Sequence, residues 1–273
     1  MRLACQRPDD AGRSLSQWDS PELARQLISE KIVESISPTT VWRILSSHKL
    51  KPWRSHYWLN ASSPRDAEFY DRVKEIIDLY IRPLSENEVV LSVDEKTSLQ
   101  PQPRRYPTRP ATSGNVPNHV EHEYRRCGAL QLFAAFDTRT GKVYGQCFER
   151  KRQTEFIAFL DHLDRNIPVA VTTIRLVLDN VSAHHGQEVR AWLAAHPRFV
   201  FYFTPVHCSW MNQVEQWFGI LQRKHFGLSD FSSTEALRIA LEQFIVEWNE
   251  KAHPFNWTTK SVAKVMADEK TAA

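Results

Sequence analysis

Apolar residues occur along the chain at two spacings, which distinguish predicted strands from predicted helices. Short runs rich in β-branched and aromatic residues predict five strands, at 89–93, 130–136, 142–148, 174–178 and 199–203. A glycine-ended turn at 137–141 joins the second run to the third, so these two runs predict a hairpin. Asp137 is therefore interpreted as a turn residue rather than a ligand.

Apolar residues three and four positions apart predict helices between and after the strands. Helices are expected at 154–166, after Asp179, at about 211–226, and around Leu241, with Trp257 packed near the last one. The order is strand, hairpin, helix, strand, helix, strand and helix. It predicts an α/β domain at 86–273 in which helices flank a mixed sheet.

Two short helices are predicted ahead of this domain, in residues 1–60. The first begins at Ser20–Pro21 and ends near residue 29, and the second begins at Ser37–Pro38, because each start combines a capping residue with a following proline. The residues expected to face inward are Leu23, Leu27 and Ile28 in the first helix and Val41, Ile44, Leu45 and Trp42 in the second. A linking helix at 61–85, beginning at Ser63–Pro64, leads into the α/β domain.

The helix pair is typical of a helix-turn-helix, although a small solvated helical bundle would have the same pattern. In a helix-turn-helix the second helix enters the major groove of DNA, and the basic segment that follows it can contact phosphates. The residues expected to contact DNA are Thr39, Thr40 and Arg43 at the bases and Lys49, Lys51 and Arg54 at the phosphates.

The overall charge and the cysteine content exclude several classes of protein. The 273 residues carry a formal charge of +3, which permits nucleic-acid binding without demonstrating it. The cysteines are scattered and form no CxxC pair, so neither a zinc site nor a disulfide framework is indicated. No run approaches the roughly 18 apolar residues of a membrane span. We therefore expect a soluble, cytoplasmic protein without a membrane partner.

Three acidic residues stand where side chains can reach a cleft. Asp94 follows the first strand, Asp179 follows the fourth, and Glu215 lies near the edge of the apolar stripe of helix 211–226. Each has an ordinary alternative by itself, because an acid after a strand can form a turn or cap a helix, and an acid on a helix can be a solvated charge. The three together indicate a carboxylate site.

The residues around these acids resemble a known family. The segments DEK at 94–96, LDNVSAHHG at 178–186 and TPVHCSWMNQVEQWF at 204–218 resemble the three signatures of the DDE transposases, in the bacterial insertion-sequence branch of the mariner-like superfamily. The resemblance extends from about Trp18 to Trp257. It implies a ribonuclease H-like catalytic domain preceded by a helix-turn-helix region, in which Asp94, Asp179 and Glu215 are the catalytic residues.

Carboxylates gathered in one cleft need positive charge to offset their repulsion, which is roughly 4 kcal/mol for two charges about 4 Å apart at an effective dielectric near ~20. Such oxygen ligands suit Mg²⁺, and Mn²⁺ can substitute. Two ions can stabilise both the attacking and the leaving oxygen of a phosphodiester displacement. The resemblance thus implies an enzyme, a transposase that cuts DNA at the ends of a mobile element and joins the 3′-OH to target DNA.

Other polar residues near the signatures are assigned lesser roles. Asn180 and Asn212 stand beside the acids, where an amide can hold a phosphate or orient a metal-bound carboxylate. His184, His185 and the His207–Cys208 pair lack further zinc ligands at the usual spacing, so no zinc site is expected there.

The segment at 96–128 is predicted to be a long loop, with five prolines and several arginines. In mariner-like relatives the equivalent insertion clamps a partner subunit, so the resemblance implies that this loop contacts a second protomer or DNA. The expected partners are double-stranded DNA, at element ends and target, and further copies of the chain in a homodimer or higher assembly in the bacterial nucleoid.

The resemblance leaves alternatives to an active transposase. Family members usually carry another helix-turn-helix upstream of the position of Trp18, so a truncated copy is one expectation. The other functions considered are a catalytically idle DNA-binding remnant or regulator from a decayed element, and a standalone nuclease of the same fold.

Overall fold

The computed structural model describes residues 1–49, 51–53, 66–113, 117–206, 208–226 and 230–255. The chain divides into two compact units, Met1–Ser62 and Ser63–Ala273, each with an apolar core of its own. No helix within the described ranges is long and apolar enough to cross a membrane.

The described residues of the first unit form helices α1 (Arg2–Cys5), α2 (Ser20–Ser29) and α3 (Pro38–Ser47). Helix α2 begins where the side chain of Asp19 accepts a hydrogen bond from the backbone N–H of Glu22, and α3 begins where Ser37 accepts one from Thr40. The buried residues that join the three helices are Leu3, Leu23, Ala24, Val41 and Leu45.

The core of the first unit is narrower than its sequence predicts. Ile28, Ile44 and Trp42 are exposed, at 42%, 49% and 60%, so their predicted inward positions are wrong. The reason is that Val41 and Leu45, four positions apart, already cover the single face of α3 that packs on α2, and the other apolar residues of α3 lie further round the helix. The segment between α2 and α3 is also longer than the three or four residues of a tight helix-turn-helix turn.

The second unit begins with helix α4 (Ala67–Ile81), which is capped by Asp66, and continues into a mixed sheet. The strands of its described residues are β1 (Glu88–Leu99), β2 (Leu130–Asp137), β3 (Val143–Phe148), β4 (Thr173–Leu178) and β5 (Phe199–Phe203). Their order across the sheet is β3-β2-β1-β4-β5. Strands β1, β4 and β5 run parallel to one another, and β2 is antiparallel to both β1 and β3.

The helices that cover the two faces of the sheet are α5 (Gln153–Asn166), α6 (Gln187–Ala195), α7 (Val214–His225) and α8 (Thr234–Glu250). Helices α5 and α6 pack on one face, where Leu91 and Phe133 belong to the same core as Phe156. Helices α7 and α8 pack on the other face, where Leu132 belongs to the same core as Trp217. Helix α4 lies against the face formed by Val90 and Val177.

Most predicted elements of the second unit are confirmed near their expected positions. The hairpin turn is also confirmed, because Asp137 accepts hydrogen bonds from the backbone N–H groups of Arg139 (2.8 Å) and Thr140 (3.2 Å), and Gly141 has a positive φ of 76°. The predicted start of the linking helix at Ser63–Pro64, and Trp257, lie outside the described residues.

Strand β1 is longer than predicted, and the long loop is correspondingly shorter. Lys96 pairs with Leu132, and Leu99 with Leu130, so residues 96–99 belong to the strand and not to the loop. The remaining segment, residues 100–129, is called the arm. Within its described residues Arg109 and His119 exchange two backbone hydrogen bonds of 2.9 Å, and Arg104 bridges to Tyr124. The arm therefore folds back on itself as an antiparallel ribbon rather than forming a structureless loop.

Candidate active site

The register of two neighbouring strands brings Asp94 and Asp179 side by side. In the parallel pair of β1 and β4, Ser92 is the partner of Val177. Asp94 and Asp179 each follow two positions later, so both lie just past the paired residues and on the same face of the two strands. Asp94 lies within β1 rather than after its end, because β1 continues its ladder with β2. The prediction that both acids follow a strand is therefore correct for Asp179 and wrong for Asp94.

Glu215 reaches the same place because the start of α7 is anchored to β1. The backbone N–H of Val214 donates to the hydroxyl oxygen of Ser92 (3.2 Å). The side-chain amide of Asn212 donates to the backbone carbonyl of Val93 (2.9 Å), and the hydroxyl of Ser92 donates to the amide oxygen of Asn212. Glu215 is the next residue after Val214, and it is exposed.

The carboxyl group of Asp94 is held by the protein at both oxygens. Its Oδ1 accepts a hydrogen bond from the backbone N–H of Glu95 (2.7 Å), and its Oδ2 accepts one from the amide of Asn212 (3.3 Å). Burial is the main cause that raises the pKa of Asp94 to about 7. The negative charges of Asp179 and Glu215 raise the pKa as well, so the three acids interact electrostatically.

Asp179 is bound by a buried histidine that also binds Glu95. The Nδ1 atom of His184 lies 3.2 Å from Asp179 Oδ1, and its Nε2 atom lies 3.0 Å from Glu95 Oε1. Burial alone would raise the pKa of Asp179, but the hydrogen bond and the charge of His184 lower it below its usual value. Burial likewise opposes charge on His184, yet the two carboxylates raise the pKa of His184 to about 9. The ring is therefore a cation at neutral pH.

The three acids differ in how many of their oxygens remain available. Within the described ranges, Asp179 Oδ2 and both carboxylate oxygens of Glu215 accept no hydrogen bond. No three His, Cys, Asp or Glu side chains in those ranges lie close enough together to hold a metal ion. The donor set is nevertheless one that suits a hard divalent cation, since it consists of carboxylate oxygens with unbalanced negative charge around Asp94.

Comparison with protein families agrees with this arrangement. The model of the DDE superfamily endonucleases matches residues 89–238, which is more than half of the chain. The chain belongs to the DDE superfamily endonuclease family. The matched residues include Asp94, Asp179 and Glu215.

Individual relatives extend the comparison beyond the family model. An uncharacterized 39 kDa protein of insertion element IS630 from Shigella sonnei is 28% identical over 212 residues, which are 77% of this chain and 58% of that protein. The chain thus spans less than two thirds of this relative. The crystal structure of the Mos1 mariner paired end complex with Mn superposes with a TM-score of 0.55 at 16% identity, covering 88% of this chain and 69% of that chain. This likeness confirms the predicted ribonuclease H-like fold.

The two asparagines predicted to assist the acids of this endonuclease family member have different surroundings. Asn212 is 1% exposed and contacts Asp94 directly. Asn180 is exposed, and its amide donates to the backbone carbonyl of Thr204. Asn212 therefore has the geometry to orient an acid, whereas Asn180 connects the ends of β4 and β5.

Three residues that shape the site were not predicted from the sequence: Glu95 and His184 contact the acids, and Ser92 anchors the start of α7. Ser92 precedes the first signature, Glu95 lies within it, and His184 lies within the second. The sequence marks this position by the repeated histidine at 184–185, whose spacing is not that of zinc ligands. Their contacts join residues 89 to 122 positions apart, which no local pattern reveals.

The residues predicted to contact DNA lie on and after α3 in the first unit. Thr39, Arg43 and Lys49 are exposed. The hydroxyl of Thr40 instead lies 2.9 Å from that of Ser37 at the start of the helix. The ammonium of Lys51 donates to the carbonyls of Ser46 and Leu45 at the end of α3. Arg54 lies outside the described residues.

Proposed function

We propose that this chain is a transposase that cuts DNA at the ends of a mobile element and joins the freed 3′-OH to target DNA. The observation that carries the proposal is that Asp94 on β1 and Asp179 at the end of β4 lie on one face of neighbouring strands, where the charges of Asp179 and of Glu215 on α7 act on Asp94. Membership of the DDE superfamily endonucleases and the relative from insertion element IS630 support the same activity.

Asp94, Asp179 and Glu215 are proposed to hold two Mg²⁺ ions, or Mn²⁺ in their place. The Mos1 mariner paired end complex whose fold this chain resembles contains Mn, which supports a divalent cation here. When bound, such ions stabilise the attacking and leaving oxygens of a phosphodiester displacement. The protein itself orients Asp94 through Asn212 and fixes the base of Glu215 through the bond from Val214 to Ser92.

The first unit is proposed to bind the DNA at the element ends. Exposed Arg43 on α3 has no hydrogen-bonding or ionic partner among the described residues, so its guanidinium is available for a base edge. Lys49 is exposed after α3 and is assigned to a phosphate. Two ends are proposed to be held by a dimer or higher assembly of the chain in the bacterial nucleoid.

The test is cleavage of DNA that carries the flanks of the gene. Glu215→Gln keeps the side-chain volume and removes one carboxylate charge. Mg²⁺-dependent nicking should therefore fall by more than about a hundredfold. A bound ion lowers the activation barrier by several kcal/mol, and each ~1.36 kcal/mol changes the rate about tenfold. Binding of the same DNA without metal should remain within about twofold of wild type.

The matched control is Glu242→Gln, which removes an exposed charge from α8. This variant should nick at the wild-type rate. If Glu215→Gln also nicks at that rate in Mg²⁺, Glu215 is not a catalytic ligand. If the wild-type chain binds these ends without nicking them, the chain is a DNA-binding remnant instead.

A further inference from the structure

His184 occupies a position between two carboxylates that belong to different parts of the sheet. Its side chain is fully buried, and its ring packs on Phe156 with centroids 4.3 Å apart. Nδ1 faces both the backbone carbonyl and Oδ1 of Asp179, each at 3.2 Å, while Nε2 faces Oε1 of Glu95 at 3.0 Å. Both ring nitrogens therefore face only acceptors, so each must carry a hydrogen.

Glu95 lies on the opposite side of β1 from Asp94, because successive side chains of a strand point to opposite faces. Its neighbours Val93 and Leu91, two and four positions earlier, belong to the core under α5. Glu95 is therefore directed away from the position of Glu215, and His184 reaches Asp179 from that opposite face. The ring and the backbone N–H of Val181 (3.3 Å) both hold Asp179 Oδ1, whereas Oδ2 accepts no hydrogen bond from the described residues.

We propose that His184 is a positioning residue, which clamps one oxygen of Asp179 against Glu95 so that the other oxygen is presented to the cation site. This proposal rests on the proposed function, in which Asp179 is a ligand. His184 touches neither DNA nor the cation in this role and acts only through Asp179. Glu95 holds the far side of the ring and so sets its orientation.

Two substitutions separate the contacts of the ring. The amide of His184→Asn can occupy the place of Nδ1 and keep the donor to Asp179, while the amide of His184→Gln can occupy the place of Nε2 and keep the donor to Glu95. Both remove the same ring and the same charge. A residue that orients a metal ligand typically contributes about 10-fold to 100-fold in metal affinity. We expect His184→Asn to bind Mn²⁺ at least about tenfold more tightly than His184→Gln in calorimetric titrations without DNA.

Thermal stability distinguishes this role from a purely structural one. His184→Asn leaves the largely buried Glu95 unpaired, so it should be the less stable variant while binding Mn²⁺ more tightly. The proposal would be overturned if His184→Gln, the more stable variant, bound Mn²⁺ as tightly as His184→Asn or more tightly. If His184→Asn does not fold, the double variant His184→Asn with Glu95→Gln relieves the unpaired charge and is compared with His184→Gln instead.

The calorimetric result does not depend on nicking. Absence of nicking by the wild-type chain with retained Mn²⁺ binding would reject the proposed transposase and still leave the clamp testable. Normal nicking by wild type with equal Mn²⁺ affinities for the two variants would reject the clamp alone.

Discussion

The charged form of Asp94 is destabilised by its surroundings. The carboxyl group is largely buried, and the charges of Asp179, Glu215 and Glu95 lie near it, so its pKa rises to about 7. His184 offsets part of the negative charge, but its contacts are with Asp179 and Glu95 and not with Asp94. The negative charge around Asp94 is therefore only partly offset by the protein.

This destabilisation predicts a dependence of folding stability on pH in the absence of metal. The pKa of Asp94 is higher in the folded protein, about 7, than its value of 3.8 in the unfolded chain. Such a carboxyl group stabilises the folded state below pH 3.8, and this stabilisation is lost as the pH rises toward about 7. The loss is about 1.4 kcal/mol for each pH unit inside that window. In EDTA, the melting temperature of the second unit should therefore fall between about pH 4 and about pH 7.

Asp94→Asn is the matched variant for this measurement, because it removes the titrating group and keeps the shape. Its melting temperature should fall less over the same pH range, by several degrees, since about 1 kcal/mol corresponds to about 2 to 4 °C in a domain of this size. His184 contributes equally in both proteins and cancels in the difference. Parallel pH profiles for the two proteins would show that Asp94 is ionised throughout.

At the scale of elements, α3 presents one face to its own core and another to solvent. Val41 and Leu45 are buried, while Thr39 and Arg43 on the same helix are exposed. Lys51 is unavailable as a simple phosphate contact, because its ammonium caps the carbonyl end of α3 and lies 5.4 Å from the ring of Trp53. Lys49, without such contacts in the described residues, is the better phosphate candidate.

Arg43→Ala and Lys49→Ala should therefore weaken DNA binding in different ways. A bidentate contact to a base is worth roughly 1 to 3 kcal/mol of discrimination, so Arg43→Ala should reduce affinity for end DNA about tenfold more than affinity for random DNA. Lys49→Ala should weaken both to the same extent and reduce the salt dependence of binding. Fluorescence anisotropy with the two DNAs measures this, and equal losses for Arg43→Ala on both would mean that α3 reads no sequence.

At the scale of the whole molecule, the arm carries exposed charged and aromatic side chains. Tyr106 is 60% exposed, and Arg105 and Arg109 are exposed beside it. The base of the arm is held to the domain, since Phe231 N–H donates to the carbonyl of Pro101 (3.0 Å) and Arg104 N–H donates to Asp230 (2.9 Å). An anchored base and an exposed far end suit contact with a second protomer or with DNA.

Deleting residues 106–122, with a short glycine link in their place, should leave the base of the arm and the sheet intact. The ion pair between Arg105 and Glu123 (3.1 Å) marks the point where the two sides still meet. The variant should fold and nick single ends, yet fail to form a complex that contains two DNA ends, because the exposed contact surface is missing. Sedimentation with end DNA provides the measurement, and a two-end complex of wild-type mass would contradict the role of the arm.

Much of the fold follows from local patterns that the sequence displays. The alternation of apolar runs and helical stripes predicts the order of strands and helices, because burial of one face imposes the spacing of each element. Asp94 and Asp179 could be singled out because each comes directly after an apolar run, and Glu215 because it lies beside the apolar stripe of a predicted helix. Their meeting could not be derived from spacing alone and was implied by the family resemblance.

The tertiary structure alone decided the contacts among these elements. Strand β1 continues past Asp94 because it pairs with β2. The amide that contacts an acid is that of buried Asn212, and not that of Asn180. The contact between His184 and Glu95 depends on the pairing of β1 with β4, because the two residues are 89 positions apart in the sequence. Periodicity records whether a residue is buried, whereas hydrogen-bond partners depend on which buried surfaces meet.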